Sequence, residues 1–215
     1  MRWLALTALV VLAAGPVQGQ DIVDVLRQSQ QQRLDAMPDA PPGPRADLVR
    51  SSFELLRHQL PPDVAVDLRV ITGATVAETL HGHIVVANEA LADLPEGERL
   101  FVLAHELGHV VQHHWLQMGL VYKHWIPGAV TPDQTDPVAG PLGREASLLA
   151  HRQEFEADAW GLKLLRKMGR PADDAYSAFM HLGMTQDTAT HPATRKRVAA
   201  LHAAELSEPA AIDGP

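Results

Sequence analysis

The feature that most limits how this chain can fold is a pair of histidines, His105 and His109, four residues apart in a stretch of helical periodicity. Leu103 and Leu107 belong to the apolar stripe that would bury one face of that helix. Side chains at positions i and i+4 share a face, so the two imidazoles can bind one Zn²⁺ ion. Glu106 projects beside the ion and can take a proton from its water. The pattern predicts an amphipathic helix that carries a metal-binding pair and a base.

The limits of this helix follow from the residues around it. The run Asp93-Leu94-Pro95-Glu96 has the form of a capping box with Asp93 as the N-cap, and the helical pattern continues to about His114. From 115 to 143 the periodicity is lost, and proline and glycine become frequent. We therefore predict a long loop over 115–143, which is tethered beside the metal at both ends and can act as a lid.

A catalytic zinc site needs a third protein ligand and an open position for water. The best source is the run Glu154-Phe155-Glu156-Ala157-Asp158, which lies in the next long predicted helix. Glu154 and Asp158 share a helix face, so Glu154 can bind the metal while Asp158 orients a histidine ligand. Glu156 is the rival ligand. A solvent-facing acidic helix is the alternative for the whole run.

The remaining pattern predicts a mostly helical chain with a small sheet. The predicted helices cover 21–37, 49–60, 144–168, 173–182 and 192–206, and alternating apolar residues predict strands over 64–71, 76–80 and 83–87. The fold class is therefore α+β, with about three strands beside the helix of the His-Glu-x-x-His motif.

Composition narrows the class of protein further. A chain of 215 residues allows one ordinary domain or two small ones. The net charge of −8 without a basic face argues against a nucleic-acid partner. The absence of cysteine excludes disulfides, thiolate zinc ligands and cysteine nucleophiles.

The first residues have the pattern of a signal peptide. Arg2 precedes an apolar run over 3–14, which is too short to span a bilayer, and no later stretch qualifies as transmembrane. We predict a cleaved signal peptide over 1–19 and a periplasmic or secreted protein, with an uncleaved anchor as the alternative. The predicted divisions are then an N-terminal helix and Pro-rich linker (20–44), a zinc metallopeptidase domain (45–206) and a loose tail (207–215).

Three motifs occur in a characteristic order. The His-Glu-Leu-Gly-His run at 105–109 is followed by the acidic run at 154–158, and then by His191-Pro192 with Arg197 six residues after the histidine. Over about residues 55–201 the chain resembles the gluzincin family of HtpX and the CAAX-prenyl proteases, which is peptidase family M48. It is most similar to the soluble periplasmic members of the BepA type, but without their repeat domain.

The resemblance implies a minigluzincin-like metallopeptidase domain with one Zn²⁺ per chain. It implies His105, His109 and Glu154 as ligands, Glu106 as the base, and Asp158 as the residue that orients a ligand. It also implies an active-site role for His191 and for Arg197.

The individual roles of His191 and Arg197 stay open at this point. His191 can donate to the oxyanion, or it can occupy the open zinc position as a latch. Arg197 can hold Glu154, Asp158 or a substrate carbonyl.

Other residues near the motifs are weaker candidates. His113 lies one turn past His109 and can approach the metal, and His151 lies one turn before Glu154 and is a plausible accessory contact. For His113, His114 and His124 the sequence favours the cleft lining or the surface. The resemblance implies that 81–87 forms an edge strand on which a peptide pairs its backbone, and an interior strand is the alternative.

The residues together predict a zinc metalloendopeptidase that hydrolyses polypeptides, with unfolded or misassembled envelope proteins as the expected substrates. Two alternatives are a non-proteolytic, zinc-containing chaperone-like protein and a periplasmic zinc-buffering protein. The base Glu106 argues against the first, because a purely structural zinc site needs no base. The oligomeric state is left open.

Overall fold

The computed structural model describes residues 19–207 of the chain, so the predicted signal peptide, apart from Gly19, and most of the predicted tail lie outside the described residues. The helices are α1 (Ile22–Asp35), α2 (Pro44–Arg57), α3 (Glu96–Val111), α4 (His114–Trp125), α5 (Pro132–Thr135), α6 (Ala139–Lys167), α7 (Asp173–Leu182) and α8 (Thr194–Ser207). The strands are β1 (Asp67–Ile71), β2 (Ala77–Leu80) and β3 (Ile84–Asn88). Within 19–207 no helix is both long and apolar enough to cross a membrane.

Helix α3, which carries the histidine pair, lies at the centre of the fold. It packs against α6 and α7, against α2, and against β2 and β3 of the sheet. Leu100, Leu103 and Leu107 are fully buried in the main core, as their helical spacing predicts. This central position makes α3 the rigid element on which the site is built.

The three strands form one mixed sheet in the order β1-β3-β2. Strand β3 pairs in parallel with β1 and antiparallel with β2, so β3 is the central strand. One face of the sheet contributes to the main core. On the other face, Leu34 of α1 packs against Leu80 of β2 and Val86 of β3. The α+β fold with a small sheet beside the motif helix is thus confirmed.

Helix α1 is fastened to the sheet by polar contacts as well. Arg69 of β1 donates to the carbonyl oxygens of Leu34 and Met37, at 2.5 and 2.8 Å, and it pairs with Asp39 at 2.7 Å. Lys123 of α4 binds Asp21 at the start of α1. The predicted boundary between the N-terminal segment (20–44) and the metallopeptidase domain (45–206) stays a prediction.

The prediction of a long loop over 115–143 is wrong. Residues 114–125 form α4, and α6 already begins at Ala139. Apolar residues occur on several faces of α4, so no single stripe marked it in the sequence. Pro141 is tolerated in the first turn of α6, because the first N–H groups of a helix have no intrahelical acceptor. Ile22, Ile126 and Leu142 form a small core that anchors the segment.

The predicted capping box at Asp93 is also wrong. Asp93 ends a short 3₁₀ turn over Glu89–Asp93, which Asn88 caps by accepting a hydrogen bond from the Ala90 N–H. Pro95 precedes α3 without a side-chain cap. The Asp93 carboxylate instead binds Arg45 of α2 at 2.5 Å.

Two glycines allow α3 and α6 to approach closely. A Cβ atom on Gly108 would lie 3.1 Å from the Cα of Ala157, and one on Gly161 would lie 3.2 Å from the backbone nitrogen of His105. Backbone atoms at such distances cannot move aside as a flexible side chain can. The space that Gly108 leaves beside the backbone of α3 is therefore filled by α6.

We expect Gly161→Ala to lower the free energy of unfolding by about 1–3 kcal/mol, because the added methyl group pushes α6 away from α3. Urea denaturation in the presence of a chelator measures this effect. Gly143→Ala is the matched control, since Gly143 lies on the same helix with nothing within 4 Å of its Cβ position. There we expect no loss, or a gain of up to about 1 kcal/mol. Equal effects at both positions would contradict the packing argument.

Candidate metal centre

Three side chains from α3 and α6 meet at one point. The Nε2 atoms of His105 and His109 are 3.1 Å apart, and they lie 3.6 and 3.4 Å from the two carboxylate oxygens of Glu154. Tetrahedral zinc with bonds of about 2.0–2.1 Å would place its ligand atoms about 3.3 Å apart. The three residues are thus spaced as the ligands of one ion.

The surroundings of Glu154 independently indicate a cation site. Its side chain is buried, and its Oε2 atom has no hydrogen-bond partner among the described residues. Leaving a buried carboxylate oxygen without a hydrogen bond is costly. Two imidazoles and a carboxylate, with one buried oxygen that lacks a hydrogen bond, fit a divalent metal of the zinc type.

Asp158 and Arg197 hold residues of this set in place by hydrogen bonds and an ion pair. The Nδ1 of His105 lies 2.9 Å from Asp158 Oδ1, which holds the imidazole with Nε2 toward the other ligands. Arg197 of α8 donates two hydrogen bonds to Asp158, at 2.8 and 2.6 Å, and its Nη1 lies 3.2 Å from Glu154 Oε2. The structure therefore brings Arg197 to the carboxylates, one of the alternatives that the sequence left open.

The charges of this cluster depend on each other. Burial would raise the pKa of Glu154, but the neighbouring His105, His109 and Arg197 outweigh it and hold the pKa below its usual range. Burial likewise opposes the charge of Asp158, and the Arg197 guanidinium holds the pKa of that carboxyl down. The pKa of Arg197 is raised despite its burial, chiefly by Asp158. Both carboxylates are thus ionised at neutral pH.

Glu106 is buried beside the histidines and is oriented from the sheet. Thr79 of β2 has its hydroxyl 2.8 Å from Glu106 Oε2 and 2.9 Å from the Glu106 carbonyl oxygen. Sequence reasoning missed Thr79. The available signal was its place two residues from Ala77 in a predicted strand, on the face that packs against α3.

A cleft of about 720 Å³ opens onto this cluster. Polar residues from the cluster line one part of it, among them Glu106, Glu154 and Arg197. Another part is apolar, with Phe101, Val102, Phe179, Leu182 and Met184 in its wall. The cleft therefore offers a reactive end and an apolar surface for a substrate chain.

His191 reaches the cluster from the loop between α7 and α8. Its Nε2 lies 3.6 Å from Glu154 Oε1, and the side chain is about half exposed to the cleft. His151 is not among the three residues of the metal group. Its Nε2 lies 2.7 Å from the carbonyl oxygen of Thr188, so it holds the loop that carries His191.

The edge strand implied for 81–87 is placed wrongly. Residues 81–83 form a turn, and the strand that follows, β3, is central. The edge beside α3 belongs to β2, where Thr79 contacts Glu106. The interior alternative was the right one for the second part of that segment.

Among the remaining histidines, His114 is the one that departs from the sequence expectation. His113, one turn past His109 in a continuous helix, lies at a break with φ of 55° and is not among the three residues of the metal group. His124 is exposed on α4 beside Trp125. His114 is the one that reaches the cluster, with its Nδ1 2.8 Å from the Nδ1 of His109. Burial, with the nearby His109 and His105, lowers the pKa of His114 to about 3.

Comparison with known proteins agrees with this geometry. The profile of Peptidase family M48 matches residues 72–126 and 138–205, which is more than half of the chain. The chain belongs to peptidase family M48. The predicted family is thus confirmed, whereas the BepA-like subtype stays a prediction.

A solved structure shares the fold. The crystal structure of S. mikatae Ste24p matches with a TM-score of 0.51 and 19% sequence identity, over 84% of this chain and 56% of that one. At this identity the likeness concerns the fold alone, and the chain spans little more than half the length of Ste24p. A comparison with curated proteins gives no match.

We expect Arg197→Met to lower the free energy of unfolding of the metal-free protein by about 3–5 kcal/mol, because it leaves Asp158 and Glu154 buried without their cation. Arg195→Met is the control, since Arg195 is an exposed residue of the same helix. It should change the free energy by less than about 0.5 kcal/mol. Urea denaturation of both variants measures these changes. Similar changes in the free energy of unfolding for the two variants would contradict a buried ion pair.

Proposed function

We propose that the protein is a zinc metalloendopeptidase with one Zn²⁺ per chain, held by His105, His109 and Glu154. The observation that carries the proposal is that two features occur in one cleft. Three candidate ligand atoms are spaced as they would be around one metal ion, and the carboxylate of Glu106, which Thr79 orients, lines the same cavity.

Charge balance supports a divalent ion. The carboxylates of Glu106, Glu154 and Asp158 are all buried, and the guanidinium of Arg197 interacts with all three. A single positive charge cannot balance three buried negative charges at low dielectric. Two imidazoles and a carboxylate are a common donor set for catalytic zinc, which keeps its fourth position open.

Bound zinc would supply a Lewis acid that polarises the scissile carbonyl and lowers the pKa of a water. The residues of the chain do the rest. Glu106 takes a proton from the attacking water and delivers it to the leaving amine. Thr79 donates to Oε2 of Glu106, which leaves the other oxygen for the water. His191 donates to the negative charge that develops on the carbonyl oxygen.

The substrate that suits this cleft is an extended, partly apolar polypeptide. Strand β2 is the edge beside α3, so a peptide can add to it by backbone hydrogen bonds that read little side-chain sequence. The apolar wall around Phe101, Phe179 and Met184 then accepts an apolar side chain. We infer that the protein degrades unfolded or misassembled envelope proteins, in the periplasm or outside the cell, where the signal-peptide pattern would direct it.

We expect Glu106→Gln to leave one zinc bound and to abolish hydrolysis of an unfolded substrate such as casein. The amide is similar in shape but cannot accept the proton of the water. Metal analysis and casein cleavage, with and without a chelator, give the two results. A variant that keeps most of its activity would refute the proposed base. A wild-type protein that binds zinc tightly without cleavage would favour the chaperone-like alternative.

We expect Glu154→Ala to lose the zinc, whereas Glu156→Ala keeps about one equivalent. Glu154 is buried between the histidines, while Glu156, two residues along the same helix, is directed away to His114 and Arg152. Metal content after gel filtration distinguishes them. If Glu156→Ala were the variant that loses zinc, Glu156 would be the ligand.

A further inference from the structure

One buried histidine that is not among the three proposed ligands contacts one of them. His114 has a side chain that is 3% exposed, and its Nδ1 lies 2.8 Å from the Nδ1 of His109. The two rings meet edge to face, with centroids 4.8 Å apart. The Nε2 of His109 faces the other way, toward His105 and Glu154.

This contact fixes where the protons are. A histidine that binds a metal through Nε2 carries its proton on Nδ1. The Nδ1–H of His109 then points at the Nδ1 of His114, which must be bare to accept it. With a metal on His109, His114 would therefore carry its own proton on Nε2. Two Nδ1–H groups at this distance would repel each other.

We propose that His114 is a positioning residue that holds His109 for metal binding, in the way that Asp158 holds His105. The inference rests on the proposed metal site. Each histidine ligand then has its own hydrogen-bond partner at Nδ1. The partner is a carboxylate for His105 and a neutral imidazole for His109. The two partners come from different helices, α6 and α4.

The break between α3 and α4 is what brings His114 to this place. His113 adopts the left-handed conformation, with φ of 55°, which strains a residue other than glycine. In a continuous helix the residue above His109 would be His113, whereas the break puts His114 there. Gln153 of α6 donates to the His114 carbonyl oxygen at 3.1 Å and fixes the new helix start.

Glu156 lies at the far end of this chain of contacts. Its Oε2 is 3.3 Å from the Nε2 of His114, but no aligned hydrogen bond to that Nε2 occurs within residues 19–207. The carboxylate is 40% exposed and is shared with Arg152. It attracts the Nε2–H of His114 and thereby favours the required tautomer, with a weaker effect than His114 itself.

The test compares two replacements of His114 with a control on the same helix. His114→Phe keeps the ring and removes the acceptor, and we expect it to raise the zinc dissociation constant about 10–100-fold. His114→Asn should recover most of the affinity, because its Oδ1 stands near the position of the lost Nδ1. His124→Phe, an exposed histidine of α4, should change nothing. Competition with a chromophoric chelator measures all three constants, and circular dichroism verifies folding.

Nitrogen-15 NMR of the wild-type imidazoles tests the inference without any variant. In the zinc-bound protein we expect His114 to carry its proton on Nε2 and His109 on Nδ1. A proton on Nδ1 of His114 would overturn the proposal, as would equal zinc affinity for His114→Phe and wild type. If wild type itself binds no zinc, the proposed function fails instead. A bare Nδ1 on His114 in the metal-free protein would then still support the contact.

Discussion

The close contact of α3 with α6 is the constraint on which the rest of the molecule depends. One helix carries two of the proposed ligands and the base, and the other carries Glu154 and Asp158. Because Gly108 and Gly161 have no side chain at the contact, the two backbones lie close enough for the side chains of both helices to meet at the site. The sheet, α7 and α8 then pack around this pair and supply Thr79, the cleft wall and Arg197.

The same contact gathers negative charge in the interior, so binding of the proposed metal would be coupled to folding. Glu154 has a buried oxygen that lacks a hydrogen bond from any described residue, and Arg197 is shared among several carboxylates. A bound cation would offset the remaining negative charge. Binding of an ion to the folded state alone stabilises that state. The core around Leu103 and Leu107 contributes the part of the stability that needs no ion.

The sequence predicts this site where the chemistry depends on local spacing. His105, His109, Glu154 and Asp158 follow from positions four apart on two helices, and the structure brings these four together. Thr79 and His114 could not be found in this way. Thr79 reaches Glu106 only through the packing of β2 on α3, and His114 reaches His109 only because the helix breaks. The same limit explains the missed helix α4, whose apolar residues contact neighbours on several sides.

The break at His113 has a consequence for how the chain can vary in length. Only Gln112 and His113 connect α3 to α4, so one inserted or deleted residue would rotate His114 off the ring that it contacts. At the other end of α4, residues 126–131 connect to α5 and include exposed positions such as Pro127 and Gly128. An insertion there lengthens a surface connection and adds little closure entropy. The two ends of one helix therefore tolerate insertions and deletions very differently.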